Sequence, residues 1–340
     1  MFNIRVILVG GILSAVAAFS SPVQADDCRL QRIASLDMQQ AENGILIPVT
    51  IEGTSKLMLI DTGAPLSTMD PKVTGDLHLI TERVVQGMMY TSSGRQFTLL
   101  ARIHDLSIGD MHAGNLKFLV WPERMWSDDK VAGTLGADFL RHYDIELDFA
   151  SHKLNLFSQD HCEGKVVYWT TGPVAVAPIH VVNSGHIVVP VTLDGHDVDA
   201  VFDTGASATV LSLEAAENTF GLKTSTPDLV RADDGKADNP FYRHQFKSLV
   251  LDGVNIANPT VYVREDRIQS SELPGATGTK LAAASGGSEE DGATDLILGM
   301  RELQKLHIYI AYKEQKLYIS AGSPQPAEVS SSTSRAASAH

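Results

Sequence analysis

The strongest pattern in the chain is a partly alternating run followed by a continuous one. Ile45 to Gly53 reads ILIPVTIEG, rich in β-branched residues, and predicts a strand that turns at its glycine. Leu57 to Ile60 reads LMLI and predicts a buried strand. This run goes straight into Asp61 and then turns on Thr62-Gly63. A carboxylate at the end of a buried strand is costly unless something uses it.

The same succession occurs again. IVVPVTLDG at Ile187 to Gly195 matches the first run at an offset of 142, and Ala200-Val201-Phe202 leads into Asp203 at that same offset. Glycine-centred turns at Gly94 (SSGR) and Gly235 (DDGK) lie between extended segments and predict hairpins, offset by 141. Leu106–Val120 matches Leu249–Val263 at 143. A short helical stretch is expected over Ala137–Tyr143, after Gly136, whose counterpart is Gly299 at an offset of 163. A strand pair then follows in each copy, DIELDF with KLNLF and HIYIAY with KLYIS. The chain is therefore an internal repeat, mainly β, with about twenty extra residues in the second copy. That Gly/Ala/Ser-rich stretch, about 264–294, reads as a surface insertion, with a processing site or a lid as its alternatives.

This organisation gives expected boundaries. Residues 1–25, with an apolar run and small residues before Asp26, read as a signal peptide cleaved after Ala25; an N-terminal membrane anchor is the alternative. Residues 26–165 form the first lobe, 166–180 the connection, 181–322 the second lobe and 323–340 a disordered tail. The chain is expected to be exported, to the periplasm or outside the cell. In that setting Cys28 and Cys162, the two cysteines, are expected to pair, with two buried thiols as the alternative.

Composition narrows the partners. A formal net charge of -14 argues against nucleic acid or an anionic membrane surface. Twelve histidines are scattered without metal-ligand spacing, so no metal and no cofactor is expected. Trp121 and Trp126 read as packing residues, and Glu123 and Arg124 as solvated.

Two equivalent lobes, each presenting one aspartate, suggest a site on the axis between them. Two carboxylates about 3 Å apart cannot both ionise, so one proton is shared. The ionised member can take a proton from water while the protonated one polarises a carbonyl oxygen.

In these residues the chain resembles the retropepsin-like and pepsin-like aspartic peptidases. The resemblance rests on Asp-Thr-Gly-Ala after an apolar strand in each half, a hydroxyl residue six places beyond each aspartate (Ser67, Thr209), and the downstream elements TLG (134–136) and ILG (297–299). It implies an all-β, bilobal acid-protease fold with Asp61 and Asp203 as the catalytic pair. Thr62 and Thr204 would make mutual hydrogen bonds beneath them, and Gly63, Ala64, Gly205 and Ala206 would complete the loops. The hairpins at Gly94 and Gly235 would be flaps, with Tyr90 the flap aromatic. The implied activity is endopeptidase cleavage of a peptide or protein substrate by a monomer that is its own pseudo-dimer. The alternatives are a non-catalytic peptide-binding protein on this scaffold, or two domains that pair with other chains. Ala64 and Ala206 stand where pepsins carry a hydroxyl residue, which implies a less acidic pair with an optimum of roughly pH 4–6. Pro65, opposite Ser207 of the other copy, stiffens the first loop.

Overall fold

In the first lobe, Gly44–Ile51 and Thr54–Ile60 are joined by a two-residue turn in which both Glu52 (φ 47°) and Gly53 (φ 77°) are left-handed. Asp194 (φ 45°) and Gly195 (φ 85°) make the same turn between Ile187–Leu193 and His196–Phe202. Such turns match the twist of the strands they join and fix the register, Ile51 opposite Thr54 and Leu193 opposite His196. The outgoing strand of each hairpin starts exposed and ends buried over three successive residues. Each therefore delivers its aspartate to the interior.

The computed structural model describes residues 29–41, 44–84, 90–91, 95–232, 240–264, 276–277 and 294–322. The predicted signal segment, Cys28, Gly94, Gly235 and the tail lie outside these residues. Tyr90 is placed by its backbone, in a short strand (Tyr90–Thr91) that pairs in parallel with Ala276–Thr277 of the second-lobe insertion.

Each lobe is built on one sheet, and the two sheets have the same strand order. In the first lobe Val131–Leu135 runs parallel to Thr54–Ile60 and antiparallel to Thr68–Met69. In the second, Leu296–Leu298 lies in the same way between His196–Phe202 and Val210–Ser212. These central strands carry the TLG and ILG elements. The fold is the two-lobed β architecture expected from the repeat.

Some local readings change. The helix after Gly136 covers only Ala137–Leu140, not Ala137–Tyr143, because Arg141 caps it and the backbone enters the strand Asp144–Asp148. A helix the pattern did not reveal spans Leu213–Phe220. Ser212 caps its start and Gly221, at φ 68°, closes it. Trp121 packs on Phe97 and donates from its indole to Thr68 Oγ1 at 2.9 Å. Glu123 and Arg124 are exposed on the surface, as read. Ala175–Pro178, inside the expected connection, is a strand paired with Lys316–Ala321.

The lobes meet in a six-stranded sheet whose central pair is Asp144–Asp148 against Leu306–Ala311. Its core contains paired polar groups as well as apolar ones. His161 Nε2 lies 2.6 Å from Asp144 Oδ2, and His307 Nε2 lies 2.9 Å from Glu146 Oε1. Asn155 and Tyr168 donate to Glu146 Oε2 at 2.6 and 2.5 Å, and Trp169 stacks on His307 at 4.6 Å. Burial pushes the Glu146 carboxyl up, but the bonds from His307, Tyr168 and Asn155 outweigh it and hold the group below its ordinary value. A carboxyl so depressed stabilises the fold above its unfolded pKa, and that contribution fades as pH falls through the folded value. Glu146→Gln is expected to cost about 2 kcal/mol at pH 7 and progressively less below about pH 4. Urea unfolding at both pH values checks this; a cost that does not change with pH would contradict it.

Candidate active site

The two strand ends bring Asp61 and Asp203 together on the axis between the lobes. Thr62 and Thr204 are locked to one another beneath them. Thr62 N donates to Thr204 Oγ1, and Thr204 N to Thr62 Oγ1, each at 3.1 Å. The Thr62 hydroxyl donates to Phe202 O at 2.7 Å, and the Thr204 hydroxyl to Ile60 O at 2.8 Å. Each hydroxyl thus accepts from and donates to the opposite lobe. Both threonines are fully buried, so these four bonds face no competition from water.

The glycines have a different reason from the expected tight turn. Neither Gly63 nor Gly205 is among the residues with positive φ. A Cβ on Gly63 would instead stand 2.3 Å from Asp203 Cγ, and one on Gly205 would stand 2.3 Å from Asp61 Cγ. Each glycine is the floor on which the other lobe's carboxylate rests.

Gly63 N donates to Asp61 Oδ1 at 2.9 Å; Gly205 N and Ala206 N donate to Asp203 Oδ1 at 2.8 and 3.1 Å. Asp203 is fully buried, and its Oδ2 is buried without a hydrogen-bond partner among the described residues. Asp61 is partly open. Burial raises both carboxyls above the ordinary range. Asp61 is pushed up to about 6, with the neighbouring Asp203 and the loop amides opposing the rise. Asp203 lies well above its ordinary value, by burial and then by the charge of Asp61. The pair therefore holds one proton on Asp203 with Asp61 ionised over the intervening range.

The family model for aspartyl proteases matches residues 47–139 and 189–301, more than half of the chain and both copies of the repeat. The chain belongs to the aspartyl protease family. The crystal structure of an aspartic proteinase from Irpex lacteus is similar at 13% identity and a TM-score of 0.48, over 86% of this chain and 98% of that one. No curated protein matches the sequence.

Sequence reasoning missed part of what holds this aspartyl protease's two loops. Asp138 Oδ1 accepts from Ser67 N at 2.8 Å and from Ser67 Oγ at 2.7 Å, and Gly136 N donates to Ser67 Oγ at 3.0 Å. In the second lobe Thr209 donates to the Glu302 carboxyl, and Gly299 N donates to Thr209 Oγ1 at 3.2 Å. Burial pushes both carboxyls up. A signal was present: an acidic residue lies two or three places after the repeated glycine in both copies.

Pro65 does not distort the first loop. Its carbonyl accepts from Asp138 N at 3.1 Å, as the Ser207 carbonyl accepts from Arg301 N at 3.2 Å. Ala64 O and Ala206 O likewise both accept at 2.8 Å, from Ala137 N and Met300 N. Among the described residues no cluster of His, Cys, Asp or Glu could hold a metal ion.

Proposed function

We propose that the protein is an aspartic endopeptidase that cleaves peptide bonds with a water activated between Asp61 and Asp203. The observation that carries this reading is the pairing itself. Both aspartates of one chain are seated on each other's glycines by the crossed threonine bonds. Ionised Asp61 takes a proton from the water as its oxygen bonds to the scissile carbonyl carbon. Protonated Asp203 gives its proton to the carbonyl oxygen. The gem-diol then collapses: Asp61 gives its proton to the amide nitrogen, the C–N bond breaks, and one diol hydroxyl returns its proton to Asp203, so the dyad again holds one proton. Pairing within the chain supports a monomer over domains that seek other chains. A non-catalytic peptide-binding role becomes the better reading if nothing is cleaved. The test is digestion of a peptide library across pH, read by mass spectrometry, with Asp203→Asn as control.

The pH dependence follows from the dyad. Below the first ionisation there is no base; above the second there is no acid. Burial adds to the missing loop hydroxyls, so the acid limb is expected at about pH 6, which moves the optimum above the roughly pH 4–6 read from the sequence. The rate should be bell-shaped with its maximum on the alkaline side of that limb. A maximum near about pH 3 would contradict this account.

The reading includes export by the 1–25 segment to the periplasm or beyond, with a peptide or protein substrate. Cys162 lies partly buried near the end of the first lobe, and in an oxidising compartment it pairs with Cys28. On a chain-entropy basis that closure stabilises by about 4–5 kcal/mol. Thiol titration of the denatured, unreduced protein is expected to find none; two thiols per chain would exclude the bond.

A further inference from the structure

One histidine lies behind the candidate active site, and the mechanism above does not use it. His186 is 1% exposed and immediately precedes the strand Ile187–Leu193 of the second lobe. Its ring nevertheless reaches the loop of the first lobe: Nε2 is 2.8 Å from the carbonyl oxygen of Gly63, and Nδ1 is 2.6 Å from Ser184 Oγ. A carbonyl only accepts, so Nε2 carries a hydrogen and donates it to Gly63 O, while Nδ1 meets the serine hydroxyl. Ser184 thereby holds the far side of the ring.

The bonded carbonyl belongs to a sensitive peptide. On one side of it, Gly63 N donates to Asp61 Oδ1 at 2.9 Å. On the other, Ala64 N lies 3.3 Å from the Asp61 carbonyl oxygen. Donation to the Gly63 carbonyl fixes the plane of the Gly63–Ala64 peptide and with it the loop residue whose N–H rests on Asp61 Oδ1.

The other copy lacks this arrangement. At the repeat offset of 142, His186 corresponds to Gly44. A Cβ on Gly44 would stand 2.7 Å from Thr204 O, so the second loop is approached by bare backbone where the first receives an imidazole.

We propose that His186, hydrogen-bonded to Ser184, is a positioning residue for Asp61: it pins the Gly63 carbonyl and so keeps the Gly63 N–H on Asp61 Oδ1. The proposal rests on the reading that Asp61 is the base. It makes a nearly symmetric dyad chemically unequal through a side chain from the opposite lobe.

The experiment compares wild type, His186→Ala, His186→Gln and Ser184→Ala. Turnover is measured on one cleaved peptide. Asp61 is titrated separately in protein carrying 13C-labelled aspartate carboxyls, its resonance identified by its loss in Asp61→Asn. The titratable group facing Asp61 is Asp203, which is retained in all four proteins. His186→Ala is expected to lower kcat about 10–100-fold with KM little changed, because the ring lies behind the loop. It should also move the Asp61 midpoint and the acid limb upward by about 0.5–1. His186→Gln restores an N–H donor without a titrating ring and should return both values toward wild type. Ser184→Ala should fall between.

Equal Asp61 midpoints in all four proteins would overturn the proposal, whatever the loss of turnover. If His186→Ala does not fold, His186→Gln and Ser184→Ala decide by the same criterion. An upward midpoint in His186→Ala that His186→Gln reverses supports the positioning role. That holds even if no peptide is cleaved, in which case the proposed endopeptidase function fails and the brace on Asp61 stands.

Discussion

Asp61→Asn and Asp203→Asn are each expected to lower peptide hydrolysis by about 10³-fold or more while leaving the fold intact. Asparagine is close in shape, and the threonine bonds beneath the pair do not involve the carboxyls. The lost chemistry differs between the two variants. Asp61→Asn leaves no base to receive the proton of water, and Asp203→Asn leaves no acid to protonate the carbonyl. Stability gives an independent readout. The Asp203 carboxyl is raised in the folded state, so its contribution is fully present below the unfolded pKa of about 3.9 and is lost as pH rises through the folded value. Asp203→Asn removes that loss. The variant should therefore melt a few degrees above the parent at pH 8, on the order of 2–4 °C per kcal/mol recovered, with the gap closing toward pH 4. If either single variant kept most of its hydrolytic activity, the pair would not act within one chain, and pairing between chains would be the better description.

Gly63→Ala and Gly205→Ala are expected to be nearly as damaging, for a steric reason. In each, the new methyl would lie 2.3 to 2.5 Å from three carboxyl atoms of the aspartate in the other lobe. No methyl group fits there without displacing the carboxylate or the loop, and both are held by hydrogen bonds and burial. The displacement is transmitted to both aspartates, because each loop supports the other. A loss of about 10²-fold or more in kcat is expected, with a stability cost of about 1–3 kcal/mol from overpacking. Alanine at Gly53 is the control: nothing lies within 4 Å of its added Cβ, so only the strain of its left-handed backbone (φ 77°) should register. Activity of Gly63→Ala within a few-fold of the parent would mean that the two loops do not rest on one another as described.

The sequence made these loops legible because their signals are local and occur twice. A strand that ends in Asp-Thr-Gly-Ala and a glycine element downstream can be seen without knowing what touches what. Three kinds of information were not local. Asp138 and Ser67 are 71 residues apart, and Glu302 and Thr209 are 93 apart, so their bonds depend on the central strand returning between its neighbours. His186 is 123 residues from Gly63 and has no counterpart in the first copy, so repeat logic passed over it. The reason for Gly63 was misjudged for a related cause: backbone freedom is a property of one residue, but the constraint here comes from the opposite lobe. Helix Leu213–Phe220 was readable from its Ser212 cap and closing Gly221, but its few apolar positions gave little periodic signal.

The sheet between the lobes has a consequence for how such a chain could arise. Arg32–Asp37, near the start of the first lobe, pairs with Lys153–Phe157 at its end; Ala175–Pro178, near the start of the second, pairs with Lys316–Ala321 at its end. Each half is closed on itself, and its two ends emerge on neighbouring strands. A segment with that property can be copied in tandem within a gene without breaking a sheet, since the copies join edge to edge at the seam between Asp144–Asp148 and Leu306–Ala311. Once joined, the copies no longer have to satisfy one sequence at both positions. Gly44 against His186, and Pro65 against Ser207, are differences that a homodimer encoded by one gene could never hold.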